Sequence, residues 1–368
     1  MFTDPAVLSC PAAQAPAKLT GRVMFALSRA EWQLFFPQYI RAEEDMQAHA
    51  DWADGGVELV RWSGNGSGIQ GPAGFAEALA RLKPDVLVSS WSTPAIPNSV
   101  LAADGPNRTV PAYVCHTTGS VKHLFTRAYL ERGGLVTNWG TLASQAVAEH
   151  ALMLTLSSLR RMPEWAPVIA GKRPWQPSPI YTQTLYGKRV GLHGMGNVAR
   201  ALSLLLRPFG VKLSAWSGGV PAELYSQAGI PRAASLEELF ANSDVVIDCE
   251  ALTPRTAGIV SMEILQQMPQ GALFVNVGRG LVVDEHALAE LAGRGRIRIA
   301  LDVFSKDPIT PNSPLHSVED AVLSPHIAGP TSDQFARCGE LVMRNLEAYF
   351  TGLPLEAVVT LEMWDRST

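Results

Sequence analysis

The chain has 368 residues, 47% of them hydrophobic and 17% charged, and its formal net charge is -4. This length predicts two domains of about 150 residues, each able to bury a core. No basic block and no apolar run long enough to cross a bilayer is present, so we expect neither a nucleic-acid nor a membrane partner. The four cysteines are widely spaced and form no CxxC pair, which predicts reduced thiols in a cytoplasmic protein without disulfides or a metal site. They are Cys10, Cys115, Cys249 and Cys338.

Residues 1–20 are rich in Ala and Pro and lack the pattern of a signal peptide, so we interpret them as a flexible N-terminal tail. After this tail, short apolar runs alternate with helix-like stretches, as is typical of an α/β fold with a parallel sheet. Helices are predicted over residues 75–82 and 121–132. The first series of strands is predicted at 23–27, 57–60, 86–88, 112–114 and 135–136.

A long helix over residues 144–161 is predicted to lead into a second series of strands. The Pro-rich passage behind it favours an ordered surface loop, because Trp165 and Trp175 need partners to pack on. Further helices are predicted at 235–240, at 285–291 behind the N-cap residue Asp284, and at 333–349. The second series of strands is predicted at 189–192, 211–216, 245–247, 272–277, 297–301 and 321–323.

A glycine-rich turn follows the first strand of the second series. Gly194 permits the turn, Gly196 lets the backbone approach a pyrophosphate, and Ala199 keeps the following helix close to the strand. The N–H groups and the dipole of that helix then point at the phosphates, so the turn predicts dinucleotide binding; a turn used only for packing is the alternative. The helix is expected to pack on the sheet through Val198, Ala201, Leu202 and Leu205.

The next strand ends at Ser217, where dinucleotide-binding folds usually carry an acidic residue that holds the ribose hydroxyls. Loss of that carboxylate removes repulsion toward a 2′-phosphate. However, residues 218–220 contain no arginine that could bind such a phosphate. NAD and NADP therefore both stay open as cofactors, with NAD slightly favoured.

Three polar residues follow strand ends in the second series: Arg279, Asp307 and His326. Ligands of open α/β sheets bind outside the carboxyl ends of the strands. A guanidinium can hold the carboxylate of a 2-oxo acid in a fixed plane, and a histidine can exchange the proton of the new hydroxyl. A carboxylate beside that histidine favours the imidazolium. The alternative is that all three are ordinary polar residues at strand ends.

Three segments that carry these residues, 276–285, 300–304 and 324–329, resemble signatures of the D-isomer-specific 2-hydroxyacid dehydrogenase family. The resemblance extends over residues 112–352 and is strongest after Val190. It implies a Rossmann-type NAD(P)-binding domain, residues 144–331, inserted into a flavodoxin-like substrate-binding domain. That outer domain would comprise residues 21–143 and be completed by 332–368. The resemblance also implies a homodimer.

The resemblance assigns roles to individual residues. Arg279, Asp307 and His326 would be the catalytic set, and Thr118 and Gly119 would contact the substrate together with Arg279 and His326. Trp91, just past a strand of the first series, is a further candidate for shaping the substrate pocket, with packing in its domain as the alternative. The cofactor would be bound by Gly194, Gly196, Asn197, Val198, Ser217, Thr118, Leu252, Thr256, Val277, Arg279, Asp302, His326 and Gly329, with Asp302 contacting the nicotinamide amide.

The sequence departs from the family pattern at four of these positions. Asp307 stands where the family usually has Glu, so its contact with His326 needs a closer backbone or a water. Cys249 replaces a His, Ala251 replaces a Pro, and Ser217 replaces the ribose Asp. His116 and His193 are expected to have structural roles, His193 through contact with a neighbouring strand.

The predicted activity is reversible hydride transfer between NAD(P)H and a small 2-oxo acid, giving the D-2-hydroxy acid, as in glyoxylate and hydroxypyruvate reductases. A catalytically weak, dinucleotide-sensing protein-binding module of the same fold is the alternative. The sequence leaves the identity of the 2-hydroxy acid open, because one methylene in a pocket changes preference by only ~1–3 kcal/mol.

Overall fold

The computed structural model describes residues 20–39, 56–62, 71–101, 110–175 and 181–366. Residues 1–19, which form nearly all of the predicted tail and include Cys10, lie outside the described residues. The chain divides into two compact units. The first contains the residues up to Ala143 and those from Ser332 onward, and the second is Ser144–Thr331.

The described secondary structure alternates strands and helices in both units. The strands are β1 Gly21–Ala26, β2 Val57–Arg61, β3 Val86–Ser89, β4 Tyr113–His116, β5 Leu135–Thr137, β6 Arg189–His193, β7 Lys212–Trp216, β8 Val245–Asp248, β9 Leu273–Asn276, β10 Arg298–Leu301 and β11 Val322–Leu323. The helices are α1 Arg29–Phe35, α2 Pro72–Leu82, α3 Asn98–Leu101, α4 Arg127–Glu131, α5 Leu142–Leu159, α6 Met162–Ile169, α7 Asn197–Leu206, α8 Ala222–Ala228, α9 Leu236–Ala241, α10 Met262–Gln267, α11 Glu285–Gly293, α12 Phe335–Thr351 and α13 Leu361–Arg366.

The first unit is built on a parallel five-stranded sheet with the order β2-β1-β3-β4-β5. This is the flavodoxin-like order. All residues of β3 and β4 are buried, and one apolar cluster lies on each face of the sheet. Burial on both faces explains why these strands are continuous apolar runs in the sequence.

The second unit is built on a parallel six-stranded sheet with the order β11-β10-β9-β8-β6-β7. A parallel bridge between Ala215 and Arg232 begins a further strand beside β7. The strand order reverses next to β6, and this topological switch point is where doubly wound folds bind their ligands. The glycine-rich turn leaves β6 at this place.

Three local predictions are wrong. The helix predicted over 121–132 is only α4, because residues 121–126 form turns that bury Val121, Leu124 and Phe125. The Pro-rich passage begins with α6 rather than a loop: the first proline of α6 lies in its first turn, where no backbone donor is needed. Trp175 is 75% exposed instead of packed.

The packing face of α7 also differs from the prediction. Its buried residues are Ala199, Leu202, Ser203 and Leu206, whereas Leu205 is exposed. Val198 and Ala201 pack against the core only in part. The buried face of α7 is therefore shifted by one residue from the predicted face, and it includes Ala199, the small residue of the turn.

None of the helices in the described part of the chain combines the length and apolar character needed to cross a membrane.

Candidate active site

The glycine-rich turn has the geometry that a dinucleotide requires. Gly194 has φ +112°, and a Cβ there would lie 2.9 Å from the carbonyl carbon of Cys249, so a side chain is excluded. Gly196 is exposed and no atom lies within 4 Å of the place of its Cβ, which leaves the backbone open to a ligand. Exposed Asn197 and half-buried Val198 follow. Among the described residues no side chain caps α7, so its first N–H groups stay available to an anion.

Ser217 directly after β7 is buried and forms hydrogen bonds with Tyr225 and Glu250. Its N–H donates to the Tyr225 hydroxyl at 2.8 Å, and its Oγ donates to Glu250 Oε2 at 2.5 Å. Glu250 lies two residues after β8 and was not among the predicted site residues. Its carboxylate nevertheless stands beside the position where the sequence lacks an acid.

Arg279 follows β9 and is half-buried. Its Nη1 donates to the carbonyl of Gly278 at 2.8 Å. Burial lowers the pKa of the guanidinium, and the charge of Asp307 acts in the opposite direction. The next residue, Gly280, packs so closely against the backbone of Phe304 that a Cβ would overlap the Phe304 carbonyl. The loop that carries Arg279 therefore lies directly on the segment that leads to Asp307.

His326 and Asp307 contact each other directly. The distance from His326 Nδ1 to Asp307 Oδ2 is 2.7 Å, and the two side chains are 48% and 38% exposed. The shorter acid thus reaches the imidazole without a bridging water. His326 has φ +55°, and its N–H donates to the carbonyl of Asp302 at 2.9 Å.

Asp302 holds the loop that carries His326. Its carboxylate accepts hydrogen bonds from Ser324 Oγ at 2.6 Å and from the backbone N–H groups of Ile327 and Ala328 at 2.9 Å each. His150 Nε2 lies 2.8 Å from Ser324 Oγ and 3.4 Å from Asp302. Burial raises the pKa of Asp302, but these hydrogen bonds outweigh it and the pKa is lowered. The contact with the nicotinamide amide stays a prediction.

Glu285 holds the loop that carries Asp307. It lies in the first turn of α11, whose N-cap is Asp284 as predicted. Its carboxylate accepts from the Ser305 N–H at 2.7 Å and from Ser313 Oγ at 3.1 Å. An acid at the start of a predicted helix was the one sequence signal for this role.

Four other predicted cofactor residues also lie on loops of the second unit. Val277 is buried, and its N–H donates to the carbonyl of Asp248 at 3.0 Å. Leu252 and Gly329 are half-buried. The Thr256 hydroxyl donates to the carbonyl of Ala251 at 2.5 Å and accepts from the N–H of Thr253 at 2.7 Å, so it closes its own loop.

The remaining predicted residues belong to the first unit. Thr118 is buried and its hydroxyl lies 2.6 Å from His116 Nε2. The carbonyl of Gly119 accepts from Asn138 Nδ2 at 2.8 Å. Trp91 is 50% exposed and packs against Phe35 and Phe335, with ring centroids 5.5 and 5.9 Å away.

Comparison with known proteins agrees with this arrangement. A family model described as "D-isomer specific 2-hydroxyacid dehydrogenase, NAD binding domain" matches residues 152–328, which lie within the second unit. The human glyoxylate reductase/hydroxypyruvate reductase is 30% identical over 265 residues, covering 71% of this chain and 80% of that protein. The chain belongs to the D-isomer-specific 2-hydroxyacid dehydrogenase family.

Other members of this family match over different lengths. A glyoxylate reductase of Thermofilum pendens is 34% identical over 63% of this chain and 70% of its own. D-3-phosphoglycerate dehydrogenase of Mycobacterium tuberculosis is 33% identical over 60% of this chain, and the match spans only 42% of that relative's length. The TT0316 protein of Thermus thermophilus has the same fold, with a TM-score of 0.70 and 26% identity over 92% of this chain and all of its own.

Proposed function

We propose that this chain is an NAD(P)-dependent oxidoreductase that interconverts a small 2-oxo acid and its D-2-hydroxy acid. The observation that carries the proposal is the 2.7 Å contact of His326 with Asp307 in the same unit as Arg279 and the dinucleotide turn. The human relative is a glyoxylate reductase/hydroxypyruvate reductase and the Thermofilum relative is a glyoxylate reductase, which supports this substrate class.

Each residue of the set has a distinct task in this proposal. Arg279 binds the substrate carboxylate, and its partial burial strengthens that charge-assisted bond. His326 engages Asp307 through Nδ1, which leaves Nε2 to give its proton to the carbonyl oxygen of the substrate. Asp307 stabilises the imidazolium and fixes its orientation. Thr118 and Gly119 are proposed as substrate contacts, and Trp91 as a wall of the pocket.

A bound nicotinamide dinucleotide supplies or accepts the hydride. Gly194, Gly196, Asn197 and Val198 would bind its pyrophosphate, which fits the open backbone at Gly196 and the uncapped start of α7. Ser217, Leu252, Thr256, Val277, Asp302 and Gly329 complete the proposed cofactor set. Of the two nucleotides we favour NAD, since residues 218–220 carry no arginine for a 2′-phosphate.

The direct contact of Asp307 with His326 favours the enzyme over a catalytically weak dinucleotide sensor. Three departures from the family pattern, at Ser217, Cys249 and Asp307, were the sequence argument for a sensor. The 2.7 Å contact removes Asp307 from that argument, because the shorter acid reaches His326 without a bridging water.

We further propose a cytoplasmic homodimer. Cys115, Cys249 and Cys338 are unpaired thiols, which fits a reducing compartment. Large exposed hydrophobic side chains are frequent in one segment of the second unit, as is common at interfaces between subunits. They are Met153, Met162, Ile169, Trp175, Tyr181 and Tyr186.

The test is turnover of glyoxylate and hydroxypyruvate with NADH or NADPH, followed by the absorbance of the reduced nicotinamide. His326→Ala should reduce kcat about 10²–10⁴-fold, the usual contribution of a general acid. His286→Ala, which removes an exposed histidine on α11, is the matched control and should keep the wild-type rate. Binding of both nucleotides without turnover of any 2-oxo acid would refute the proposed activity.

A further inference from the structure

In the second unit, the carboxylate of Glu250 lies beside the residue that follows β7, although Glu250 does not belong to β7. Ser217 occupies the position where the fold usually places the ribose acid, and it is only 4% exposed. Its hydroxyl donates to Glu250 Oε2 at 2.5 Å, although the two residues are 33 positions apart. The loop after β8, a strand separated from β7 by β6, thus delivers the carboxylate that the sequence lacks at 217.

Glu250 is held firmly in this position. Its N–H donates to Asp248 Oδ1 at 2.9 Å, and its second carboxylate oxygen accepts from the N–H of Ala251 at 3.0 Å. Its backbone is also packed against the glycine turn: a Cβ on Gly194 would lie 2.9 Å from the Glu250 nitrogen. The backbone of Glu250 therefore lies directly beside the turn that would hold the pyrophosphate.

One cation lies nearby and has another partner. The Arg232 guanidinium stands over the ring of Tyr225, 5.5 Å from its centroid, and the Tyr225 hydroxyl contacts the backbone of Ser217. Arg232 thus reaches Ser217 through an aromatic ring, whereas Glu250 contacts it directly. The charge next to the Ser217 hydroxyl is negative.

We propose that Glu250 is the specificity-determining residue for the cofactor. It replaces the missing acid of β7, binds the ribose hydroxyls of NAD together with Ser217, and repels the 2′-phosphate of NADP. Repulsion between two negative groups in one site would disfavour NADP, as in other sites that select by repulsion. The inference rests on the proposed function, because it assumes that the turn binds a nicotinamide dinucleotide.

The experiment is calorimetric measurement of Kd for NAD⁺ and NADP⁺ with the full chain, without substrate. Wild type should bind NAD⁺ at least about tenfold more tightly than NADP⁺, and Glu250→Gln should reduce this ratio about tenfold, mainly through tighter NADP⁺ binding. Glu290→Gln removes the same charge from an exposed ion pair on α11 and should leave the ratio unchanged.

Equal affinities of wild type for both nucleotides, or an unchanged ratio in Glu250→Gln, would overturn the inference. A larger change of the affinity ratio in Arg232→Ala than in Glu250→Gln would also overturn it, because Arg232 would then determine the cofactor preference. Ser217→Ala keeps the carboxylate, so it should weaken NAD⁺ binding yet retain the preference; this variant and wild type decide the matter if the glutamine variant does not fold. Preferential NAD⁺ binding without turnover would refute the proposed activity and leave this inference intact.

Discussion

The two sheets each end a central strand with a fully buried histidine, and the two histidines have opposite charge preferences. In the first unit, His116 of β4 stands opposite Ser89 of β3 in the strand register; in the second, His193 of β6 stands opposite Asp248 of β8. Burial lowers the pKa of His116 to about 3. Burial acts on His193 in the same direction, but Asp248 at 3.2 Å outweighs it, and its pKa is raised. The two pKa shifts have opposite directions because a carboxylate faces His193, whereas His116 faces a hydroxyl and its pKa is lowered further by His123.

His326 completes this comparison from the surface. It also has a carboxylate partner, at 2.7 Å, yet it is 48% exposed. His193 is sealed within the sheet, whereas His326 is open to solvent and is the residue for which we propose proton exchange with a substrate. The expectation of a structural role for His193, in contact with a neighbouring strand, is confirmed by its pairing with Asp248 on β8.

The largest expected effect is a loss of stability of the first unit at low pH. His116 has a native pKa of about 3 against ~6.5 in the unfolded chain, so the unfolded state takes up a proton that the native state refuses. Stability of the first unit should fall as the pH drops below about 6.5, by about 5 kcal/mol in total by pH 3. Urea unfolding at several pH values, with one transition allowed for each unit, measures this loss. His116→Gln should flatten the dependence, and equal slopes in both proteins would contradict the prediction.

Asp248→Asn should break the buried pair of the second unit. Removal of one partner from a buried ion pair leaves the other charge uncompensated and costs about 3–5 kcal/mol of unfolding free energy. The same urea experiment detects the loss, with Glu290→Gln as the exposed control, for which we expect less than ~0.5 kcal/mol.

The pH dependence of the Asp248→Asn effect gives a second check. The native pKa of His193 is raised, so its contribution to stability is complete below about pH 6.5 and is lost as the pH rises through the native value. A destabilisation that grows with rising pH would speak against a charged His193.

Ser89→Asp should give His116 the carboxylate neighbour that His193 has in the second unit. A carboxylate opposite His116 should raise the pKa of this imidazole from about 3, by the effect that Asp248 has on His193. Burying the new charge should also lower the stability, and its attraction to the imidazolium should offset this cost only in part. NMR titration of labelled histidines measures the pKa, and Ser89→Asn is the uncharged control. A His116 that stays neutral beside the new carboxylate would show that register alone does not set the charge.

The smallest effect on stability should come from the partly exposed pair of His326 and Asp307. Asp307→Asn should change the unfolding free energy by no more than ~1 kcal/mol, because both partners are partly in water. Its effect should fall on turnover instead, because the amide no longer stabilises and orients the imidazolium that is proposed to donate the proton. A loss of stability as large as that of Asp248→Asn would remove the distinction between the two pairs.

Sequence predicted the sheets well and their surroundings less well. Strands such as β3 and β9 are buried on both faces, so they are unbroken apolar runs that are easily recognised. Short helices such as α1 and α10 depend on tertiary packing and were not predicted, and α6 was hidden by its prolines.

Among the candidate site residues, Arg279, Asp307 and His326 could be predicted because each follows a strand end. Glu250 and Glu285 could not be predicted. Their partners Ser217, Ser305 and Ser313 lie 20 to 33 positions away, and only the folded chain brings them together. The direct reach of Asp307 to His326 likewise depends on the path of a loop that Glu285 holds.

The contact of Gly280 with the Phe304 carbonyl has a consequence for how this site can change over time. It joins the loop of Arg279, the proposed carboxylate-binding residue, to the loop of Asp307, the acid proposed to orient the proton donor. Any side chain at 280 would push both loops apart at once. A substitution there would therefore disturb the proposed substrate binding and the proposed proton transfer together. New substrates are therefore more readily accommodated by changes elsewhere, while residue 280 stays a glycine.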